Sequence, residues 1–238
     1  MEKPFKSYNG GKCGNGTYQN IINFIPKHDL FIDAMAGNGG IFFNLQLPQR
    51  AVYNDIDPSV IDNFDYVVPS EVIKENLCYS GLIDKYDFVS SKAFIYFDPP
   101  YHFDTRSTKQ KYYNFDWSDS DHDKFLSKVV TVKSNCMVSH YPCELYDTAL
   151  KNWHTFDFMS MTRGGLRQER IYMNYAKPEV LQDFRYLGKN YTDRQRIKRK
   201  ITRFLEKLEN LEELERTGIL SAVIDKYNCT SAKLVKLP

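Results

Sequence analysis

Asp98, Pro99, Pro100 and Tyr101 follow directly on an apolar run, Ala93-Phe94-Ile95-Tyr96-Phe97. A carboxylate, a stiffened carbonyl and an aromatic ring in sequence suit a planar heterocycle that carries an exocyclic amino group. The amino nitrogen of adenine is a poor nucleophile, because its lone pair is delocalised into the ring. Two acceptors on its two N–H bonds, the Asp98 carboxylate and the Pro99 carbonyl, would push it towards tetrahedral geometry and free that pair. Tyr101 would stack on the base. The same string also fits a proline-terminated strand with a capping Asp and a packed Tyr.

Two further acids stand in comparable places. Leu30-Phe31-Ile32-Asp33 runs into Ala34-Met35-Ala36-Gly37-Asn38-Gly39-Gly40 and then into Ile41-Phe42-Phe43. The pattern predicts a strand, an acid, a glycine-rich turn and an apolar helix, with backbone amides brought close to a ligand. The spacing is not G-x-G-x-x-G. Asp33 would repel a pyrophosphate and suits the ammonium of an amino acid. S-adenosylmethionine carries such an ammonium, so the stretch points away from nicotinamide cofactors. Ala51-Val52-Tyr53-Asn54-Asp55 is a second strand ending in an acid, placed to accept hydrogen bonds from ribose hydroxyls. Asp57 reads as the cap of a helix with Pro58 in its first turn.

These residues need elements to hold them. The run Ala93–Phe97 has no polar alternation, so it predicts a strand buried on both faces of a parallel sheet. Pro99 and Pro100 cannot extend it, having no N–H for the ladder. Asp98 is thereby left at the strand's carboxyl end, where open α/β sheets place ligands. A helix is predicted from about Gly16 to Phe24, stopped by Pro26. Ser59 to Lys92 reads as polar and helical, with a break at Gly81. Ser118 caps a helix to Val130. Cys136 to Pro142 repeats the strand-then-proline theme, and Glu144 to Leu150 is helical. Trp153–Met161 and Glu169–Tyr175 predict a final antiparallel hairpin around the basic turn Arg163–Arg170.

At 238 residues, with 42% hydrophobic content, the chain can bury a full core. Its net charge is only +2, so basic character must be local. Five cysteines, with no C-x-x-C pair, read as reduced thiols of a cytoplasmic protein. There is no zinc spacing, no signal peptide and no membrane span. Gly10-Gly11-Lys12 permits close approach of a ligand, and fits a flexible turn equally. His102 to Tyr113 is basic and hydroxyl-rich and ends in aromatics, which can grip phosphates and stack bases, or form a solvated loop. Arg194 to Arg203 is densely basic. Ile197, Ile201, Leu205, Leu208 and Leu211 follow helical spacing, and beyond Leu205 the charge turns acidic. One helix packing an apolar stripe is expected there, its basic half facing phosphates or solvent.

Taken together, these stretches closely resemble the Dam-type, DPPY-class DNA adenine methyltransferases, and in size their compact phage-borne members. The resemblance spans about Pro4 to Tyr175. It implies a Rossmann-like class I methyltransferase fold: a mostly parallel sheet with an antiparallel edge hairpin and helices on both faces. It implies S-adenosyl-L-methionine as cofactor and a site-specific transfer to the 6-amino group of adenine, with the base turned out of the duplex. Phe5, Tyr8, Gly10, Gly11 and Lys12 match the N-terminal cofactor motif. Asp33 to Asn44, with Ala36, Gly37 and Gly39, match the cofactor loop, although the family more often has Glu at the place of Asp33 and Pro at that of Ala34 or Met35. Asp55, followed by Ile56, matches the acid that holds the adenosine. Asp98, Pro99, Pro100 and Tyr101 match the catalytic motif, Asp98 also bordering the cofactor. Ser139-His140-Tyr141 and Glu169 to Asn174 match later segments. Thr105 and Arg106 are implied to face DNA.

Larger members insert a recognition domain for which Ser59–Lys92 is too short. Recognition is therefore expected from small elements within 59–92 and 102–116, from Lys109, Lys111 and Tyr112, from Arg163 and Arg167, and from Arg196 and Arg199 in the tail. The resemblance divides the chain into a methyltransferase domain, 1–178, and a helical extension, 179–238. Double-stranded DNA is the implied partner, with a cognate restriction endonuclease as a further one, and with no metal and no membrane. Methylation of cytosine or RNA amines is the nearest alternative; cytosine enzymes more often carry Ser at the place of Asp98. A non-catalytic DNA-binding relative is the other.

Overall fold

The computed structural model describes residues 10–14, 16–65, 68–87, 92–106, 115–162 and 165–227. Within them seven strands form one sheet: β1 Leu30–Asp33, β2 Arg50–Asn54, β3 Glu71–Glu75, β4 Ala93–Phe97, β5 Asn135–His140, β6 His154–Thr162 and β7 Gly165–Met173. Their order is β3-β2-β1-β4-β5-β7-β6. The first five pair in parallel. β7 enters antiparallel between β5 and β6. The helices are α1 Thr17–Ile22, α2 Pro58–Asp62, α3 Tyr79–Tyr86, α4 Asp119–Val129, α5 Glu144–Ala149, α6 Tyr191–Glu209 and α7 Glu213–Tyr227. The expected fold, a mostly parallel Rossmann-like sheet with an antiparallel edge hairpin, is present.

The central strands are apolar throughout because both faces are covered. Side chains alternate between the faces. Leu30, Ile32, Ala93, Ile95 and Phe97 pack with Leu82 of α3, Phe125 of α4 and Tyr146 of α5. Phe31, Phe94 and Tyr96 pack on the opposite side with Ile21 and Ile22 of α1 and with Phe42. Each large side chain so buried contributes about 1.5–3 kcal/mol. That burial fixes β1, β2 and β4 side by side, with Asp33, Asp55 and Asp98 emerging at one end of the sheet. Local signals act as expected at two helix starts. Asp57 accepts from the Ser59 N–H at 3.0 Å, and Ser118 forms a capping box with Asp121.

The structure departs from the sequence reading in several places. Ser59–Lys92 is not one helical stretch: Glu71–Glu75 is an edge strand paired with β2. The described residues of 59–92 complete the sheet and its crossover, and no separate recognition element stands among them. After Gly39 the chain makes turns rather than a regular helix, with Phe43 N–H donating to the Gly39 carbonyl at 3.0 Å and Leu45 N–H to the Ile41 carbonyl at 2.9 Å.

The chain just beyond 178 is bonded to the sheet domain. Lys27 N–H donates to the Val180 carbonyl and Gln182 N–H to the Ile25 carbonyl. The fully buried Asp183 accepts from the Gln46 N–H at 2.9 Å. Leu181, Gln182 and Asp183 are buried there. The tail is also two helices, α6 and α7, and neither buries a residue. Ile201, Phe204 and Leu205 are about half exposed, so the described residues do not cover the expected apolar stripe. No described helix is long and apolar enough to cross a membrane.

Candidate active site

The carboxyl ends of β1, β2 and β4 open into one cavity of ≈ 350 Å³. Asp33, Asp55 and Asp98 line it together with Gly11, Lys12, Ala36, Gly37, Pro99 and Pro100. Ile56 stands at its side, 43% exposed. The remaining wall comes from Leu77, Cys78 and Tyr79 after β3 and from Phe115 and Trp117 before α4. Leu77, Cys78 and Tyr79 carry no signal in a reading that makes 59–92 a helix. The end of a third parallel strand would have pointed to them.

Backbone geometry brings the parts together. Gly37 and Gly39 have positive φ, 51° and 65°, a conformation that glycine adopts without strain. Gly39 faces away from the cavity; a Cβ there would lie 2.3 Å from the Phe43 ring. Gly40, which sequence reasoning left without a role, lies against the N-terminal loop. A Cβ on it would sit 2.9 Å from the Lys12 carbonyl carbon. This contact lets Gly10, Gly11 and Lys12 reach the cavity.

Asp55 ties the turn in place. Its Oδ2 accepts from the Gly37 N–H at 2.8 Å and its Oδ1 from the Asp57 N–H at 2.9 Å. Burial raises its pKa, and these two bonds oppose the rise. Asp33 is more extreme. It is 1% exposed, and its Oδ1 has no hydrogen-bond partner among the described residues. Burial first, then Asp98 and Asp55, hold its carboxyl well above the usual carboxylate range. Lys12 is the single basic residue among those lining the cavity. The site therefore carries excess negative charge and has a place for a cation.

At the other end, Lys12 Nζ donates to both Asp98 oxygens, at 2.7 and 2.8 Å. The Ser139 hydroxyl donates to Asp98 Oδ1 at 2.9 Å. Burial raises the Asp98 pKa, Lys12 pulls it back, and Glu169 adds to the rise. Asp98 thus sits at the cavity wall with both carboxylate oxygens already bonded to the Lys12 ammonium.

Tyr101 differs from expectation. It is 7% exposed and does not line the cavity. Its hydroxyl donates to Glu169 at 2.5 Å, and its ring meets Tyr141 edge-on at 4.4 Å. The buried Glu169 carboxylate needs a donor, and this holds the ring inward. The expected base-stacking face at Tyr101 is therefore corrected to a buried ring packed on Tyr141 and held by Glu169.

Arg106 is corrected likewise. Its guanidinium is 5% exposed and forms a bidentate pair with Asp116, at 2.9 and 2.5 Å. Its Nε donates to the Tyr101 carbonyl. It braces the loop after Pro100 and does not present itself to a nucleic acid. Arg106→Ala should lower stability by about 3–5 kcal/mol, because Asp116 loses its counter-charge in a buried place. Urea unfolding measures this, and an unchanged midpoint would contradict the bracing role. The Thr105 hydroxyl is turned to the His102 carbonyl at 2.7 Å. Arg167 is half-buried at the β6–β7 tip, while Arg196 and Arg199 are exposed on α6. Phe5, Tyr8, Lys109, Lys111, Tyr112 and Arg163 lie outside the described residues.

No family model matches the chain, and no curated protein matches it. Among solved structures, TrmK of M. capricolum in complex with S-adenosyl-homocysteine is 11% identical, with 88% of this chain and 95% of that one covered, at a TM-score of 0.43. An S-adenosylmethionine-dependent methyltransferase of Agrobacterium tumefaciens is 9% identical, with 66% and 60% covered, at 0.41. An rRNA methylase of Streptococcus thermophilus is 11% identical, with 66% and 93% covered, at 0.37.

Proposed function

We propose that the protein transfers a methyl group from S-adenosyl-L-methionine to the exocyclic 6-amino group of adenine in DNA. The observation that carries the cofactor is Asp33, a buried carboxylate with an unsatisfied oxygen facing an anionic cavity. An amino-acid ammonium fits it, and a pyrophosphate does not. When bound, S-adenosylmethionine supplies an electrophilic methyl group on a cationic sulfur. Asp33 would hold its ammonium, the Gly37 turn its backbone, and Asp55 its ribose hydroxyls. Ile56, Tyr79 and Trp117 offer apolar walls to its adenine.

Asp98 and the Pro99 carbonyl would accept the two N–H bonds of the acceptor amine. As the nitrogen lone pair forms the new N–C bond, one N–H proton becomes acidic, and Asp98 is the base beside it. Asp98 favours adenine over cytosine by the motif it belongs to. The exposed Arg196 and Arg199, with Arg167, are the described basic residues proposed to meet phosphates. Turning the base out of the stack costs a few kcal/mol.

The test is incubation with methyl-labelled cofactor and mixed-sequence duplex DNA, followed by nucleoside analysis. Label in N6-methyldeoxyadenosine is expected. Label confined to cytosine or to RNA reassigns the acceptor, and no label in any base defeats the proposal.

A further inference from the structure

Glu169 takes no part in the cavity wall, yet it is 3% exposed. It lies on β7, whose register sets Arg170 opposite His140 and Ile171 opposite Ser139. Its Oε1 accepts from the Tyr101 hydroxyl and lies 3.5 Å from Lys12 Nζ. Its Oε2 is buried with no hydrogen-bond partner among the described residues. A carboxylate oxygen left so is costly. Lys12 is the cation within reach, and its ammonium sits on Asp98 instead. That ammonium occupies the acceptor atoms to which a substrate amine must bring its own N–H bonds.

We propose that Glu169 is a positioning residue that draws the Lys12 ammonium off Asp98 as the acceptor amine arrives. The inference rests on the amine-methylation reading above. The half-buried Asp98 and the buried Glu169 flank one ammonium, and a shift of roughly 0.7 Å brings it from 3.5 Å to the usual charge-assisted distance of ~2.8 Å from Glu169 Oε1. Lys12 Nζ already lies 4.7 Å from the centre of the Tyr101 ring, whose face favours a cation along the path. The Tyr101 hydroxyl stays protonated, because burial and then Glu169 push its pKa well up. Its bond fixes the Glu169 carboxylate beside the ammonium. Asp98 is then free to take the substrate's N–H bonds, while Lys12 remains paired throughout.

Glu169→Gln keeps the volume and the bond from Tyr101 but removes the charge that attracts Lys12. The expected result is a rise of about tenfold or more in KM for the duplex, with kcat lowered, and a cofactor Kd within about twofold of wild type by calorimetry. Glu169→Asp should restore part of the loss. Acceptor kinetics of Glu169→Gln within about twofold of wild type would overturn the inference. Should Glu169→Gln fail to bind cofactor, the wild-type protein decides. In its crystal complex with S-adenosylhomocysteine and an adenine-containing duplex, Lys12 Nζ should sit on Glu169, and an ammonium still on Asp98 overturns the proposal. A wild-type protein that methylates no base amine defeats the functional reading, and this inference with it. An active wild type with an equally active Glu169→Gln defeats the inference alone.

Discussion

Asp98→Ala should reduce methyl transfer by about 10³-fold or more while the protein still binds its cofactor. The carboxylate is the acceptor that shapes the incoming amine and the base nearest its departing proton. Neither function is shared with Asp33 or Asp55, which the proposed reading turns towards the cofactor. Lys12 would keep Glu169 at 3.5 Å, so its ammonium is not stranded and the fold should survive. Asp98→Asn separates the two roles, since the amide oxygen still accepts but cannot take the proton. A loss of about 10²-fold is expected for it. Single-turnover transfer assays beside calorimetric titration with S-adenosylmethionine measure both. An Asp98→Ala protein that turns over within about tenfold of wild type would remove the catalytic assignment.

Asp33→Asn should weaken cofactor binding by about 10²-fold, the worth of a charge-assisted contact made by a buried acid. It should also stabilise the protein alone. Burial and the two neighbouring acids raise the folded pKa of Asp33 well above 3.8. The folded state therefore binds the proton more tightly than the unfolded state, and ionising Asp33 costs stability as pH rises through its folded pKa. The amide removes that cost, so a higher melting temperature is expected for the variant. A bound ammonium reverses the balance, because it favours the ionised form. Below the raised pKa, binding must expel a proton, so affinity should fall as pH falls. Calorimetry in buffers of different ionisation enthalpy reads that proton directly. Proton release that is identical in wild type and Asp33→Asn would show that Asp33 does not face the ammonium.

How far the sequence could be read depends on how local each signal is. β4 was legible because five apolar residues followed by two prolines leave the backbone few options. Asp33 and Asp55 were legible for the same reason, as acids terminating apolar strands. β3 was not: Glu71-Val72-Ile73-Lys74-Glu75 has charges at both ends, and only pairing with β2 makes it a strand. Missing it hid Leu77, Cys78 and Tyr79. Arg106 is implied to face DNA because nothing in a loop announces that a carboxylate ten residues on will close over it. Tyr101 was placed correctly along the chain but not in orientation. Its hydroxyl is held by Glu169, 68 residues away, and no periodicity reports such a partner. The tail's apolar stripe was legible as a pattern, and its lack of a covering surface was not.

The acidic lining also bears on turnover once the methyl group has moved. On the proposed reading the donor arrives with two positive centres and departs with one, since its sulfur is neutral after transfer. A chamber rich in carboxylates grips the fresh nucleoside harder than the spent one. On that reading, electrostatics favours the departure of the exhausted donor.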